Sequence, residues 1–356
     1  MRAALVGPPQ SGKSTLFAAV AEAGGSHVDI HRPDQPHLAV VKVPDERLEF
    51  LAGLFKPKKV VQAELELLDL PGLNLQDEAG RHHAQTHWAA MRQSDVLAFV
   101  VRSFEAETVP AYRGRIDAAA DVQELLDEMI FADLEQVTNR IEKLEAAVRK
   151  PTGHRDEEMR ELDLMKRLGQ ALEAEKPLAE AIGSQAEEKH LRSFAFLSQK
   201  PALVILNCSE VALNEPPPAM PGGLPCLRLS AKIEEEIAEL AVEERSAFLA
   251  DLGVSASARD VLARACVQRL GLVTFLTHAS DECRAWLAPA GTDAVTAAGA
   301  IHTDMARGFI RAETVSFEDL RAAGDMKAAK SAGKVRLEGK SYVVEDGDVI
   351  TFRFNV

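Results

Sequence analysis

The sequence is short of paired cysteines and of long hydrophobic runs. Its four cysteines are widely spaced and form no C-x-x-C pair, so they indicate neither a zinc site nor a disulfide framework, and we expect reduced thiols. No apolar run approaches the ~20 residues that cross a bilayer. The first residues already have the pattern of a core strand, which leaves no room for a cleavable signal. We therefore expect a soluble, cytoplasmic protein without a membrane segment.

Positive charge is also scarce. The formal net charge is −14 over 356 residues, which argues against nonspecific nucleic-acid binding by the whole surface and against DNA as a partner. One local basic cluster stands near the C-terminus, at Lys327, Lys330, Lys334, Arg336 and Lys340. On charge alone, an ordinary solvated surface explains this cluster at least as well as a nucleic-acid-binding surface does. The length allows two or three domains with real cores.

The start of the chain has the pattern of a phosphate-binding loop between a strand and a helix. Ala3 to Val6 is an apolar run short enough for a buried strand, Gly7 to Ser14 fits G-x-x-x-x-G-K-S, and Leu16 to Val20 begins a helix. Glycines let successive N–H groups point at phosphate oxygens, lysine supplies a cation, and the serine hydroxyl suits Mg²⁺. The predicted contacts in this loop are Gly7, Gln10, Ser11, Gly12, Lys13, Ser14 and Thr15.

A second motif follows about fifty residues later. Glu64 to Leu68 is a predicted strand that ends in Asp69-Leu70-Pro71-Gly72. In this order after a phosphate loop, Asp69 is predicted to hold Mg²⁺ through water and Gly72 to sense the γ-phosphate. A turn without function is the alternative for an isolated D-x-P-G. Many GTPases place a water-orienting glutamine next, but this chain has Leu73, so hydrolysis must use another group or be slow.

The base-binding end of the site is predicted from two later strands. Ala202 to Leu206 is a predicted strand followed by Asn207-Cys208-Ser209-Glu210, where classical GTPases have N-K-x-D. Because Glu210 replaces the aspartate that reads guanine, guanine selectivity cannot be assumed. Leu227 to Lys232 is predicted as a last strand that carries S-A-K, with Ser230 and Ala231 behind the base. Other predicted strands are Leu38 to Val43 and Val96 to Val101.

From about Ala120 the pattern becomes helical. Apolar residues from Ile130 to Val148 alternate spacings of four and three, as in a coiled coil, and a second helical stretch follows a Pro-Thr-Gly break. The pattern fits an antiparallel hairpin or two helices of a compact bundle equally well. Earlier, His83 and His87 stand at i, i+4 on a predicted helix. This spacing suits a metal-ligand pair, but a solvated helix explains it too.

The residues after about Gly271 are predicted to form a small separate domain. Arg284 to Ala288 and Ser341 to Val344 look like strands, and Val349 to Phe354 alternates polar and apolar residues as a half-buried strand should.

Several stretches resemble the YchF-type proteins, a family of Obg-related P-loop NTPases, along nearly the whole chain. The most specific stretch runs from Ala297 to Asp304 and on through Arg307 to Glu313. The other stretches are Lys13 to Phe17, Phe55 to Lys59, Val100 to Phe104, Asn207 with Glu210, Glu345 to Val349, and Phe352 to Val356.

The resemblance implies an α/β protein with a Ras-like P-loop domain, an inserted helical hairpin (coiled coil) and a C-terminal TGS domain of β-grasp fold. The implied boundaries are 1–119 and 198–270 for the nucleotide-binding domain, 120–197 for the insertion and 271–356 for the TGS domain. An ATP-preferring or dual-specificity NTPase with Mg²⁺ is implied, associated with the ribosome or RNA, and we expect a monomer. Leu73 fits the group that replaces the catalytic glutamine, and Cys208 is expected near the base.

The chain departs from the family in its switch regions. Pro33 stands where the family usually has a threonine, Ala111 aligns with a histidine, and Asn74 to Gly80 replaces a segment rich in glycine and lysine. Two hypotheses follow: a slow Mg²⁺-dependent ATPase or GTPase that regulates translation, and a nucleotide-binding scaffold without turnover. A pure RNA-binding adaptor would leave the phosphate loop unexplained.

Overall fold

The computed structural model describes residues 1–23, 34–149, 154–254, 256–279 and 281–355. The chain divides into two compact units, the first made of Met1–Ala39 and Glu66–Ala258, the second of Val40–Leu65 and Arg259–Val356. The domain boundaries predicted from the sequence stay a prediction. Pro33, which stands where the family usually has a threonine, lies outside the described residues.

Twelve strands and fourteen α-helices occur in the described ranges. The strands are β1 (Arg2–Val6), β2 (His37–Val43), β3 (Lys59–Val61), β4 (Ala63–Asp69), β5 (Val96–Ser103), β6 (Ala202–Cys208), β7 (Cys226–Leu229), β8 (Leu272–His278), β9 (Glu282–Pro289), β10 (Phe309–Ser316), β11 (Arg336–Glu338) and β12 (Asp348–Phe354). The helices are α1 (Lys13–Ala23), α2 (Glu46–Phe55), α3 (Glu78–Gln85), α4 (Trp88–Gln93), α5 (Ala118–Val148), α6 (Arg155–Glu173), α7 (Gln185–Leu191), α8 (Ala231–Glu239), α9 (Val242–Asp251), α10 (Ala258–Arg269), α11 (Ala294–Ile301), α12 (Thr303–Arg307), α13 (Phe317–Ala323) and α14 (Met326–Ser331). None of these helices has both the length and the apolar character needed to cross a membrane.

The first sheet has the strand order β2-β4-β1-β5-β6-β7. From β4 to β7 all neighbours are parallel. The two strands β5 and β6 are apolar along nearly their whole length and almost entirely buried, as expected for central strands covered on both faces. Because parallel strands end at one edge, the loops after β1, β4 and β6 meet there, and ligands of such sheets bind at that edge.

The long helix α5 belongs to two cores. It begins after Asp117, whose side chain accepts a hydrogen bond from Ala120 N. Its first turns place Val122 and Met129 in the core around the first sheet. Farther along, Val137 and Leu144 pack in a separate core with α6. The Ras-like fold with a helical insertion is therefore confirmed, and the hairpin has its own hydrophobic core.

The second sheet has the order β11-β10-β12-β8-β9-β3. The core on this sheet contains Phe275, Ile350 and the alanine-rich face of α11, in agreement with a helix packed across a mixed sheet. The edge strand β3 comes from the N-terminal third of the chain and pairs in parallel with β9, Lys59 opposite Glu282. Nothing in the sequence of this three-residue strand indicated that partner.

Three local predictions were wrong. The last strand of the first sheet, β7, ends at Leu229, and Ser230 instead caps α8 by accepting a hydrogen bond from Ile233 N. Ser341 to Val344 is not a strand, since its pairing is limited to one bridge between Val343 and Asp293. His83 and His87 do not share a helix, because α3 ends at Gln85 and α4 begins after His87.

Candidate functional site

The loop between β1 and α1 takes a conformation that excludes side chains at its glycines. A Cβ at Gly7 would lie 2.1 Å from Val100 O, and one at Gly12, where φ is +82°, would lie 2.1 Å from Asn207 Nδ2. Gln10 has a φ of 62°, a left-handed conformation that costs an L-residue about 1–2 kcal/mol. In this conformation the loop backbone has no room for side chains at Gly7 and Gly12. Loops of this kind bind phosphate through their backbone N–H groups.

A buried ion pair connects this loop with the end of β4. Lys13 Nζ lies 2.5 Å from Asp69 Oδ1, and the two side chains are only 5% and 3% exposed. The same ammonium donates a hydrogen bond to Leu70 O. His37 Nδ1 lies 3.9 Å from Asp69 Oδ2. Lys13, which is predicted to bind phosphate, and Asp69, which is predicted to hold Mg²⁺, are therefore in direct contact.

The oxygen donors next to this ion pair fit a magnesium ion. Ser14 supplies a hydroxyl in the first turn of α1, and Asp69 supplies a carboxylate at the end of β4. Mg²⁺ prefers such oxygen ligands and usually keeps several waters, so one or two protein ligands suffice. In the described part of the chain, no group of three or more histidine, cysteine, aspartate or glutamate side chains is placed to hold a metal ion.

The segment after Asp69 folds back on the phosphate loop. Leu73 N donates a hydrogen bond to Gly7 O at 2.9 Å. At Gly72 an added Cβ would lie 2.9 Å from Pro9 Cα, so the backbone approaches the loop closely. The Leu73 side chain is 1% exposed and packs in the core. It contributes neither a donor nor an acceptor to the site.

A cavity of about 540 Å³ extends from the loop to the ends of β6 and β7. Of the predicted residues, its wall includes Gly12, Thr15, Asn207, Cys208, Glu210, Ser230 and Ala231. The sequence reasoning missed Phe104, Glu105 and Ala106 on the opposite wall, although Val100 to Phe104 is one of the stretches that resemble the family. The cavity has the place and size expected for a nucleotide base and sugar.

Asn207 fixes two walls of this cavity. Its Nδ2 donates to Ser11 O at 2.9 Å, and its Oδ1 accepts from Ala231 N at 3.0 Å. The neighbouring Cys208 thiol is buried and donates to Leu229 O at 3.5 Å. Burial raises the pKa of this thiol, which keeps it protonated. Asn207 therefore ties the phosphate loop to the loop behind the base.

The charged residues on the cavity wall are mostly acidic. Lys232 stands among four glutamates, Glu105, Glu210, Glu235 and Glu236. Carboxylates accept hydrogen bonds and donate none when ionised. They therefore suit the exocyclic amine of a purine, while Lys232 is the one charged donor on the part of the wall that the structure describes.

His87 lies in the core behind the segment that follows Gly72. Its side chain is buried, its ring meets that of His83 edge to face with the centroids 5.2 Å apart, and Nε2 has no hydrogen-bond partner in the described ranges. Burial lowers the pKa of His87, and the charges of His83 and Lys13 lower it further. Among the described residues no further histidine, cysteine or carboxylate joins His83 and His87 in a group that could hold a metal, and the burial of His87 also differs from the solvated helix considered above.

Comparisons with known proteins cover the whole chain. A family model described as 50S ribosome-binding GTPase matches residues 2–140, and the YchF-GTPase_C model, described as a protein of unknown function, matches residues 272–355. The chain is 39% identical to the ribosome-binding ATPase YchF of Bacillus subtilis, with 100% of both chains covered. It is 32% identical to Obg-like ATPase 1 of Oryza sativa, covering 100% of this chain and 92% of that one.

A solved structure agrees with these sequence matches. The YchF GTPase of Schizosaccharomyces pombe superposes with a TM-score of 0.83 at 26% identity, covering 99% of this chain and 97% of that chain. The likeness thus extends over both compact units.

The buried His87 predicts that stability falls as the pH drops below about 6.5. The unfolded chain takes up this proton near pH 6.5, but the folded chain resists it, so the unfolded state binds more protons in that range. We expect His87→Phe to flatten the fall in unfolding free energy between about pH 7 and pH 5.5, where one proton accounts for up to about 1.4 kcal/mol per pH unit.

Urea titrations at several pH values measure this effect. The exposed neighbour His82 is the matched control, and His82→Phe should keep the slope of the wild type. Equal slopes for wild type and His87→Phe would contradict the assignment.

Proposed function

The chain belongs to the YchF family, and on that premise we propose that it binds ATP with Mg²⁺, hydrolyses it slowly and acts in the cytoplasm on the ribosome. The observation that carries the proposal is the buried contact between Lys13 and Asp69, at a loop whose glycines admit no side chain. A buried ammonium and carboxylate beside a loop of backbone donors supply the charges that a site for phosphate and a metal ion needs.

The geometry accounts for phosphate chemistry by positioning and charge. Phosphoryl transfer needs little covalent help from the protein, so neutralising and aligning the phosphates are the main tasks. Lys13 supplies a cation, and the loop from Gly7 to Thr15 supplies backbone donors. Ser14 and Asp69 are the residues that would hold Mg²⁺. Bound there, the ion neutralises charge that develops on the phosphate oxygens.

Slow turnover follows from what surrounds the phosphate site. Leu73 is buried in the core, and Ala111 has only a methyl group where the family has a histidine. Neither side chain can orient or deprotonate a water. The same two residues favour the second candidate function, a scaffold in which nucleotide is a ligand without turnover.

We propose ATP over GTP because the cavity wall carries Glu210 where classical GTPases have the aspartate that reads guanine. We propose the ribosome as the partner because two relatives are named ribosome-binding ATPases. A monomer stays a prediction.

Phosphate release separates the two candidate functions. We expect Mg²⁺-dependent release from ATP, slower release from GTP, and a loss of about 10- to 100-fold in Lys13→Ala, since one charged hydrogen bond to phosphate is worth about 1.5–3 kcal/mol. Lys166→Ala, on the surface of α6, is the control and should behave as the wild type. Because Lys13→Ala leaves Asp69 buried without its partner, thermal melts must show that the variant is folded.

Equal phosphate release by the wild type and by folded Lys13→Ala would exclude the proposed ATPase activity. Binding of ATP without any release above background would favour the scaffold.

Ribosome association is tested by co-sedimentation of the full chain. All four lysines of the basic cluster are exposed, and two of them, Lys330 and Lys334, form ion pairs with Glu313 and Asp319. We expect the chain to sediment with ribosomes, less so as salt rises, and the Lys327→Glu, Lys340→Glu double variant to sediment less. Lys166→Glu is the control for the charge reversal. A wild-type chain that stays in the supernatant at low salt would contradict the ribosome proposal.

A further inference from the structure

The segment after Gly72 is held by its backbone at Leu75. Leu75 N donates a hydrogen bond to the Tyr112 hydroxyl at 3.0 Å, and Arg113 Nη2 donates to Leu75 O at 3.0 Å. The Leu75 side chain is itself buried in the core. Two neighbouring residues of one loop therefore satisfy both polar backbone groups of this residue, three positions after Gly72.

Both loop residues are anchored on the same carboxylate of α5. Arg113 Nε lies 3.0 Å from Glu124 Oε1, and its Nη2 contacts the same carboxylate. Burial raises the pKa of Tyr112, and the hydrogen bond and charge of Glu124 raise it further, so the phenol stays protonated. Leu75, Tyr112, Arg113 and Glu124 form a closed set of contacts that we call the Leu75 clamp.

The backbone of the clamp is strained in the way that functional loops often are. Arg113 has a φ of 53° and is followed by Gly114 at 66°. The left-handed conformation costs a residue such as arginine about 1–2 kcal/mol. The guanidinium of this residue contacts both Leu75 O and the Glu124 carboxylate, which hold the backbone in this conformation.

A second contact joins the same two parts of the chain. Arg81 on α3, which also follows Gly72, lies with its Nε 3.0 Å from Glu128 Oε1 on α5. Glu124 and Glu128 are one helical turn apart and so lie on one face of α5. The segment that follows Gly72 is thus attached to α5 at two successive turns.

The other end of the loop reaches the base cavity. Arg102 donates to Phe104 O at 2.9 Å and to Val109 O at 3.0 Å, and its guanidinium stacks on the Phe104 ring at 4.6 Å. Phe104 lines the cavity. The loop is therefore fixed at both ends, one at the cavity and one at α5.

We propose that Tyr112, Arg113 and Glu124 are positioning residues that couple the nucleotide state of the Gly72 to Leu75 segment to the helical hairpin. The proposal rests on the proposed function, because it requires nucleotide at the phosphate loop. In this coupling, a γ-phosphate contacts Gly72 and displaces the backbone at Leu75. The Leu75 clamp transmits this displacement to Glu124 on α5. The helix continues without a break from Glu124 into the hairpin core at Val137 and Leu144. Because such coupling is reciprocal, whatever binds the hairpin also shifts the preference for triphosphate over diphosphate.

The first test is the ratio of affinities for β,γ-methylene ATP and ADP, measured by calorimetry on the full chain. Tyr112→Phe removes the acceptor for Leu75 N, and Glu124→Gln removes the charge that anchors Arg113. We expect each to change the ratio by roughly 2- to 30-fold, with the phosphate loop intact. Asp127→Asn is the matched control, since Asp127 lies on α5 and accepts a hydrogen bond from Gln123 outside the clamp.

Hydrogen exchange supplies a readout that a merely structural role would not move. In the wild type, exchanging ADP for β,γ-methylene ATP should change amide protection both in the phosphate loop and along α5, from the turn of Glu124 to the hairpin core at Val137 and Leu144. In Tyr112→Phe and Glu124→Gln the change should persist at the loop and be lost on α5. The control Asp127→Asn should show both changes.

Two results overturn the coupling while leaving nucleotide binding intact. One is a wild type that binds both nucleotides but shows no change on α5, and the other is a pair of clamp variants whose ratios and exchange match the wild type. A wild type that binds neither nucleotide overturns the proposed function and the coupling together.

Discussion

The buried contact between Lys13 and Asp69 is the interaction on which the site depends. The two residues are 56 positions apart, and their pairing holds the phosphate loop against the end of β4. Taking both charges out of water is unfavourable unless each has a partner, so removing either one leaves an uncompensated buried charge. A ligand that binds here must replace this contact with one of its own. In the proposed function, an anionic phosphate would replace it for Lys13 and a divalent cation for Asp69.

The remaining contacts organise the chain around that pair. Asn207 ties the loop to the segment behind the base, and Leu73 N ties the segment after Asp69 to Gly7. The Leu75 clamp then connects this segment to α5. The loop that carries Ala111 in place of the family histidine is the same loop that carries Tyr112 and Arg113. In this chain the loop supplies backbone restraint to the segment after Gly72 through Leu75.

Much of the phosphate site could be predicted from the sequence because its signals are local. Gly7, Gly12 and Lys13 stand within one motif, and the apolar runs that became β5 and β6 are long enough to be recognised without a partner. At the other end of the cavity, Asn207 and Ser230 were predictable from order along the chain, although Asn207 lies within β6 rather than after it and Ser230 follows β7. The error at Leu227 to Lys232 has a local cause, since a serine that caps a helix was assigned to the strand before it.

What the sequence did not reveal depends on contacts between distant segments. The three residues of β3 have no periodicity, and their partner β9 lies more than two hundred positions away. Tyr112 and Arg113 have no motif, and their importance follows only from where Leu75 and Glu124 meet them. His83 and His87 have the i, i+4 spacing of two residues on one helix. The helix break after Gln85 and the burial of His87 depend on packing, which this spacing does not show.

The most direct test of the central claim is the Mg²⁺ dependence of nucleotide binding in wild type and Asp69→Asn. With β,γ-methylene ATP, the account predicts that Mg²⁺ raises the affinity of the wild type about tenfold or more, a difference of about 1.4 kcal/mol. In Asp69→Asn that gain should disappear, while affinity without Mg²⁺ stays equal or rises because Lys13 is no longer held by a carboxylate. A wild type that binds no nucleotide, or a variant that keeps the full Mg²⁺ effect, would contradict the account.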